Sequence, residues 1–222
     1  TTARKGDLEG TIAFFNRARV AGIQPSAEMI YGLSQAYLRS DRLLEAEHIC
    51  TELAERGTTS TSIWNQLLHY NALNGGVNKC YQLLQSMGNF GLEWNHETYE
   101  HLLFALVKAN EVQSAYKLLR SACKERVFPI APEHFAIVMD GAVRVGQYEL
   151  VEIIYPLLED AGIPTTFNIQ LALFEGAYNR SPTANRTRAL GRGLADHLRS
   201  MIRSDADQTL ANEPSFKPGV TG

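Results

Sequence analysis

Four glycines, Gly22, Gly57, Gly91 and Gly162, each close a helical stretch, at steps of 35, 34 and 71 residues. The last step is two periods, and Arg126 stands where the intervening glycine is expected. A second ladder keeps the same period one helix earlier: Ala46, Cys80, Ala115 and Val151, at steps of 34, 35 and 36. Two unrelated markers sharing one period mean a stacked array of similar units. Such an array has a continuous core and no true domain boundary. The 222 residues are therefore read as one all-α solenoid of antiparallel helical hairpins. The four small residues of the second ladder are expected to be buried where helices cross closely.

Within each unit, apolar residues recur twice at helical spacing. Between 27 and 57 the first set is Met29, Ile30, Leu33, Ala36 and Tyr37, and the second is Leu43, Leu44, Ala46, Ile49, Cys50 and Leu53. Ser40-Asp41 separates them, with Asp41 placed to cap the second helix. Gly57 suits the left-handed geometry that ends a helix. The same pattern predicts helix pairs at 62–74 and 77–90, 97–109 and 112–125, and 133–145 and 148–161. A lone helix at 7–21 precedes them. A first helix at 167–179 follows, broken by Ser181-Pro182-Thr183 before a longer helix from about 184 to 203. The expectation is five hairpins plus one leading helix, without strands. In repeat terms the array covers 1–180: a partial repeat 1–26, then 27–61, 62–96, 97–132, 133–167 and a first helix 168–180. A basic capping helix (181–204) and an extended tail (205–222) complete the chain. Around Arg126, the run Val127-Phe128-Pro129-Ile130-Ala131-Pro132 predicts a wider, rigid loop.

Charge and chemistry narrow the function. Net charge is −3, so bulk charge does not announce a nucleic-acid binder. It is unevenly spread, however: residues 181–222 hold six Lys/Arg against four Asp/Glu, and the rest holds 15 against 20. No apolar run approaches the roughly 18 residues needed to span a membrane. Cys50, Cys80 and Cys123 are far apart and read as small buried residues in a reducing compartment. The chain opens at Thr1, partway into a repeat, as a piece of a longer protein would. His48, His69, His96, His101, His134 and His197 are scattered among the units. His48 and Cys50 lie two apart, on different helix faces. Deaminase chemistry would need His-x-Glu paired with Cys-x-x-Cys, and neither occurs. Gly191-Arg192-Gly193 is too short for a phosphate loop. The expectation is a non-enzyme with no catalytic residues, no metal site and no cofactor.

Three strings distinguish this array from other helical hairpin repeats: Gly22-Ile23-Gln24-Pro25-Ser26, Gly91-Leu92-Glu93-Trp94-Asn95 and Gly162-Ile163-Pro164-Thr165-Thr166. Trp64, Tyr99 and Phe135 open successive first helices, and the second helices carry Leu43-Leu44-Glu45-Ala46-Glu47 and Val112-Gln113-Ser114-Ala115-Tyr116. Over residues 7 to about 180 the chain resembles the pentatricopeptide-repeat family. The resemblance implies a right-handed superhelix with first helices on the concave face. It also implies binding of single-stranded RNA in mitochondria or plastids, one base per repeat. Divergent repeats of this kind look most like fungal mitochondrial members, some of which are translational activators for an organelle transcript such as cytochrome oxidase subunit 1 mRNA. The mitochondrial matrix is the address the resemblance implies.

In the family a base is read by one residue early in the first helix and one at the end of the same repeat. The early positions here hold Tyr31, Asn65, Glu100, Ala136 and Leu171, and the late ones Ser26, Ser60 or Thr61, Asn95, Ala131 and Thr166. Asn65 with Asn95 matches a common reading pair, since each amide offers a donor and an acceptor. Tyr31 is the other base-reading candidate. The bland alternative for Asn65 is a solvated helix residue. Phosphate contacts are mapped to Arg39, Lys108, Arg144 and Arg180, with Leu73 and Asn179 breaking the series. A cation at a helix C-terminus is also favoured by the macrodipole alone. Arg188, Arg192, Arg199 and Arg203 form a basic stripe on the capping helix, with Asp196 among them.

One good base contact discriminates by only about 1–3 kcal/mol, so specificity must come mainly from repeats outside this chain. Two functions remain. One is a segment of an organellar RNA-binding protein acting in mitochondrial mRNA translation, stability or processing. The other is an interaction scaffold, for example one docking on the mitochondrial ribosome. A continuous basic groove along the first helices would favour RNA, and a mixed one a protein.

Overall fold

The computed structural model describes residues 7–125 and 130–180. All their regular structure is α-helical: α1 Leu8–Val20, α2 Ala27–Arg39, α3 Leu43–Glu55, α4 Thr61–Leu73, α5 Val77–Asn89, α6 His96–Lys108, α7 Val112–Glu125, α8 Pro132–Arg144, α9 Tyr148–Asp160 and α10 Phe167–Arg180. The leading helix, four hairpins and the fifth first helix are thus in place. The loop at Arg126, the capping helix with Arg188, Arg192, Arg199 and Arg203, and the tail lie outside the described residues. The later first helices open at Thr61, His96, Pro132 and Phe167, one residue ahead of the expected repeat starts.

Most of these helices end the same way. Gly22, Gly57, Gly91 and Gly162 take φ of 74°, 76°, 68° and 67°, the left-handed region that costs glycine nothing. The following amide reaches back five residues, as from Ile23 to the Ala18 carbonyl and from Leu92 to the Met87 carbonyl, both at 2.9 Å. This closes the helix with a Schellman motif. The turns inside the hairpins repeat the device. Asp41, Gly75, Asn110 and Gly146 take φ of 57°, 71°, 62° and 77°. Arg42, Gly76, Glu111 and Gln147 then donate to the Tyr37, Asn71, Leu106 and Ala142 carbonyls. Asp41 therefore does not cap α3. It is the left-handed residue of the turn, and its carboxylate accepts from the Tyr70 hydroxyl of the next repeat.

Packing differs between the two layers. The first helices stack directly on one another, α2 on α4, α4 on α6, α6 on α8 and α8 on α10. Among the second helices of the described residues, backbones come close only between α7 and α9. Elsewhere long side chains bridge that layer, as from Lys79 Nζ to Glu47 Oε2 at 2.7 Å. A tight layer beside a loose one bends the stack, with the first helices on the inside. Ala46, Cys80 and Ala115 are wholly buried and Val151 nearly so, as the second ladder predicts. The Cys80 Sγ faces the Leu68 carbonyl at 3.8 Å across its own hairpin. Burial pushes the Cys50 and Cys80 thiols up to about 11, which makes both poor nucleophiles.

First helices approach one another tightly at Gly141. A Cβ there would lie 2.6 Å from Val107 Cγ1 and 3.2 Å from Val107 Cβ. Val107 is β-branched and cannot rotate away easily. Gly141→Ala is therefore expected to lower the urea midpoint of unfolding, overpacking by about 1–3 kcal/mol against the gain in helix propensity. Gly88 in α5 meets nothing within 4 Å. Gly88→Ala should raise the midpoint, adding about 0.5–1 kcal/mol of stability. Equal effects of the two substitutions would remove the argument from close approach.

Candidate functional site

The first helices run parallel, so their equivalent ends line opposite edges of the inner face. Glu28, Glu97 and Glu133 sit in the first turns of α2, α6 and α8. Arg39, Lys108, Arg144 and Arg180 sit in the last turns of α2, α6, α8 and α10. Each sign is where the helix macrodipole favours it. The face is mixed, acidic along one edge and basic along the other.

The four cations differ in their surroundings. Arg39 lies on the wall of a cavity in the face. Lys108 places its ammonium 5.7 Å from the centre of the Phe104 ring. Arg144 donates from Nη2 to the Val107 carbonyl at 3.0 Å, closing the end of α6 from the neighbouring repeat. Arg180 pairs with Glu152 of α9. Arg144 and Arg180 are thus both engaged within the protein.

The candidate base-reading pair is brought together, but it is turned inward. Asn65 is fully buried. Its Nδ2 donates to Asn95 Oδ1 at 3.1 Å and to Glu97 Oε2 at 2.9 Å. The Thr98 hydroxyl lies 2.8 Å from Asn65 Oδ1 and 2.9 Å from Asn95 Oδ1, its single proton serving one of the two. Asn95 also caps α6, its Oδ1 accepting from the Thr98 amide at 3.0 Å. Asn65 is therefore not a solvated helix residue. Both its donors tie α4 to the start of α6. His134 does the equivalent work one repeat on: Nδ1 accepts from the Ala131 amide at 2.9 Å, and Nε2 lies 3.0 Å from the His96 carbonyl.

Between α2, α4 and α6 the inner face opens into a cavity of about 440 Å³. Its lining includes Tyr31, Arg39, Gln66, His69 and His101 as well as Asn65. Tyr31 is 40 % exposed. The His69 and His101 rings lie 4.8 Å apart, tilted by 57°. Burial first, and then the neighbouring His69, pushes the His101 pKa from 6.5 to about 4, while Glu97 pulls the other way. The sequence does not mark Gln66, His69 and His101 as binding residues. They lie one and four positions beyond the mapped reading register, and no ladder runs through them.

No family model matches this sequence, and no curated protein matches it. Solved structures do. The pentatricopeptide repeat protein PPR10 in complex with an 18-nt psaJ RNA element aligns at TM-score 0.67 and 22% identity, over 88% of this chain and 28% of that one. PPR10 from maize aligns at 0.61 and 14%, over 98% of this chain and 38% of that one. The pentatricopeptide domain of Arabidopsis thaliana protein-only RNase P 1 in complex with tRNA aligns at 0.61 and 14%, over 79% of this chain and 92% of that domain. The chain spans 28% of the length of the first of these. The fold is the all-α, right-handed solenoid of helical hairpins that these proteins share.

Two measurements check the site geometry. Asn65→Ala should cost about 1–3 kcal/mol of stability by leaving the Asn95, Glu97 and Thr98 groups short of partners. A variant that unfolds at the parent's urea midpoint would make Asn65 a solvated residue after all. His101 supplies a pH test. Between pH 6.5 and about 4 the unfolded chain takes up a proton that folded His101 refuses. Its contribution is whole above pH 6.5 and is lost as pH falls towards 4. His101→Gln should flatten this limb of the stability–pH curve, and an unaltered limb would assign the acid sensitivity to other groups.

Proposed function

We propose that this chain is a segment of an organellar RNA-binding repeat protein that holds single-stranded RNA along its first-helix face. The observation that carries this is the cavity between α2, α4 and α6, whose lining brings the rings of Tyr31, His69 and His101 together with Arg39. Aromatic faces next to a cation are what an unpaired nucleotide requires. The basic edge of Arg39, Lys108 and Arg144 gives the backbone a track to follow, whereas the charge of Arg180 is already met by Glu152. The fold supports the reading, since two of the similar structures are complexes with RNA. The role follows the sequence resemblance: mitochondrial mRNA translation, stability or processing, in the manner of a fungal translational activator of the cytochrome oxidase subunit 1 type. On this reading the chain binds and does not catalyse.

The acidic edge favours a second reading, an interaction scaffold that holds a protein such as a component of the mitochondrial ribosome. Glu28, Glu97 and Glu133 repel phosphate along one side of the face, at α2, α6 and α8. Among the described residues no helix is long and apolar enough to cross a membrane, so neither reading places a span there.

Charge separates the two. Replacing Arg39, Lys108 and Arg144 together by Gln should weaken binding to every single strand. It should also flatten the salt dependence by roughly 0.7 in slope for each phosphate no longer neutralised. A triple variant that binds RNA like the parent would leave the scaffold as the better account. Crosslinking the full-length protein in its organelle and sequencing attached RNA would then name the transcript or show that there is none.

A further inference from the structure

The looser layer has a cavity of its own. α1 and α3 are successive second helices whose backbones do not come close. Between them lies a space of about 170 Å³, walled by the loop from Gly22 to Pro25. It shares no residue with the cavity in the first-helix face. Phe15 and Leu53, both buried, back it. What an occupant can reach is Ile23, Pro25 and Ile49 on the apolar side and Arg19 and Arg56 on the charged side.

Two features of this junction are not demanded by the array. Arg19 stands three residues before the closing glycine, where later repeats have Ala54, Gly88 and Glu159. Its guanidinium pairs with no carboxylate among the described residues. Arg56 is matched by Glu52 at 2.5 Å, so the wall keeps one positive charge unmatched. Ile23 stands one residue after the glycine and is 56 % exposed, whereas Leu92 and Ile163 at the same place pack against the core. An unmatched cation thus lies beside an apolar side chain left facing water, at the edge of a gap.

We propose that this cavity docks an acidic segment of a protein partner, whose carboxylate pairs with Arg19 and whose adjoining apolar side chain lies on Ile23 and Ile49. The sign of the unmatched charge selects an anion, and the planar guanidinium fork fits a carboxylate with two hydrogen bonds. The apolar side selects a peptide over an RNA phosphate, which would leave Ile23 in water. An exposed ion pair alone contributes little. The apolar contact is therefore what gives the pair its worth, by excluding water around it. The site lies between second helices, so it is independent of whatever the first-helix face holds.

The test uses the full chain with methyl-labelled isoleucine. The probes are short capped peptides that join Leu, Ile or Phe to Asp or Glu, with Asn and Gln counterparts as controls. An acidic peptide should shift the methyl signals of Ile23 and Ile49, and its amide counterpart should not. Arg19→Gln should weaken that peptide by about fivefold, and Ile23→Ser by at least as much. Both side chains are exposed, so both variants should melt with the parent. Should Ile23→Ser melt lower, Arg19→Gln carries the decision alone. Peptides that shift neither methyl, acidic and amide peptides that bind alike, or an Arg19→Gln variant that binds like the parent overturn the docking site. A uridylate strand that shifts the same two methyls overturns it as well, by making the cavity a nucleic-acid contact.

Discussion

The structure depends on one backbone device, a left-handed residue followed by an amide that reaches back five residues to close the helix. It stops eight of the ten helices within the described residues, at Gly22, Asp41, Gly57, Gly75, Gly91, Asn110, Gly146 and Gly162. Because the device recurs at a fixed interval, the helices of the described residues come out at 13 or 14 residues with matched ends. That length is about three and a half turns, roughly 20 Å. Helices of one length can stack in register, so each buries the same stripe against the next. The continuous core from Phe15 to Ala172 follows from that repetition.

Curvature comes from side-chain size. At one register of the first helices the residue is small in four of five repeats: Ala36, Ala105, Gly141 and Gly176, the last facing Val151 of α9. At Gly141 the neighbour leaves no room for even a methyl group. Among the second helices of the described residues only α7 and α9 come close; α3 and α5 stand apart and are joined by Lys79 with Glu47. A stack that is tight on one side and loose on the other presents its first helices on the concave face. Parallel helices then sort charge by their dipoles, acids to one edge and bases to the other. The mixed groove thus arises from the same geometry that builds the array, and net charge could not have disclosed it.

What was legible in the sequence was whatever lies close together along it. The glycine ladder marked the ends of the second helices, and the small-residue ladder marked the buried crossings. The matching ladder inside the hairpins was hidden because Asp41 and Asn110 hold two of its four places. Those side chains tolerate the left-handed region, but Asp41 in particular reads as a cap when only its neighbours are known. The site was harder. Asn65 meets Asn95, Glu97 and Thr98 across 30 to 33 residues. Arg144 meets the Val107 carbonyl across 37. Periodicity predicts that repeats stack, but not which polar groups the stacking consumes.

That distinction decides where recognition can occur. The early positions of the first helices run Tyr31, Asn65, Glu100, Ala136 and Leu171. Ala136 and Leu171 lack hydrogen-bonding side chains, Glu100 repels phosphate, and Asn65 is spent on the repeat junction. A uniform one-base-per-repeat readout therefore has no chemical basis along this segment. Rings and a cation concentrate instead where α2, α4 and α6 converge, at Tyr31, His69 and His101 beside Arg39. Two adjacent amides there carry opposite duties. Asn65, satisfied, holds two repeats in register, and Gln66, with both amide atoms buried and unpaired, costs stability where it stands. A solenoid tolerates such a cost locally because each repeat leans only on its neighbours. The strain stays at one junction, and the rest of the array keeps its packing.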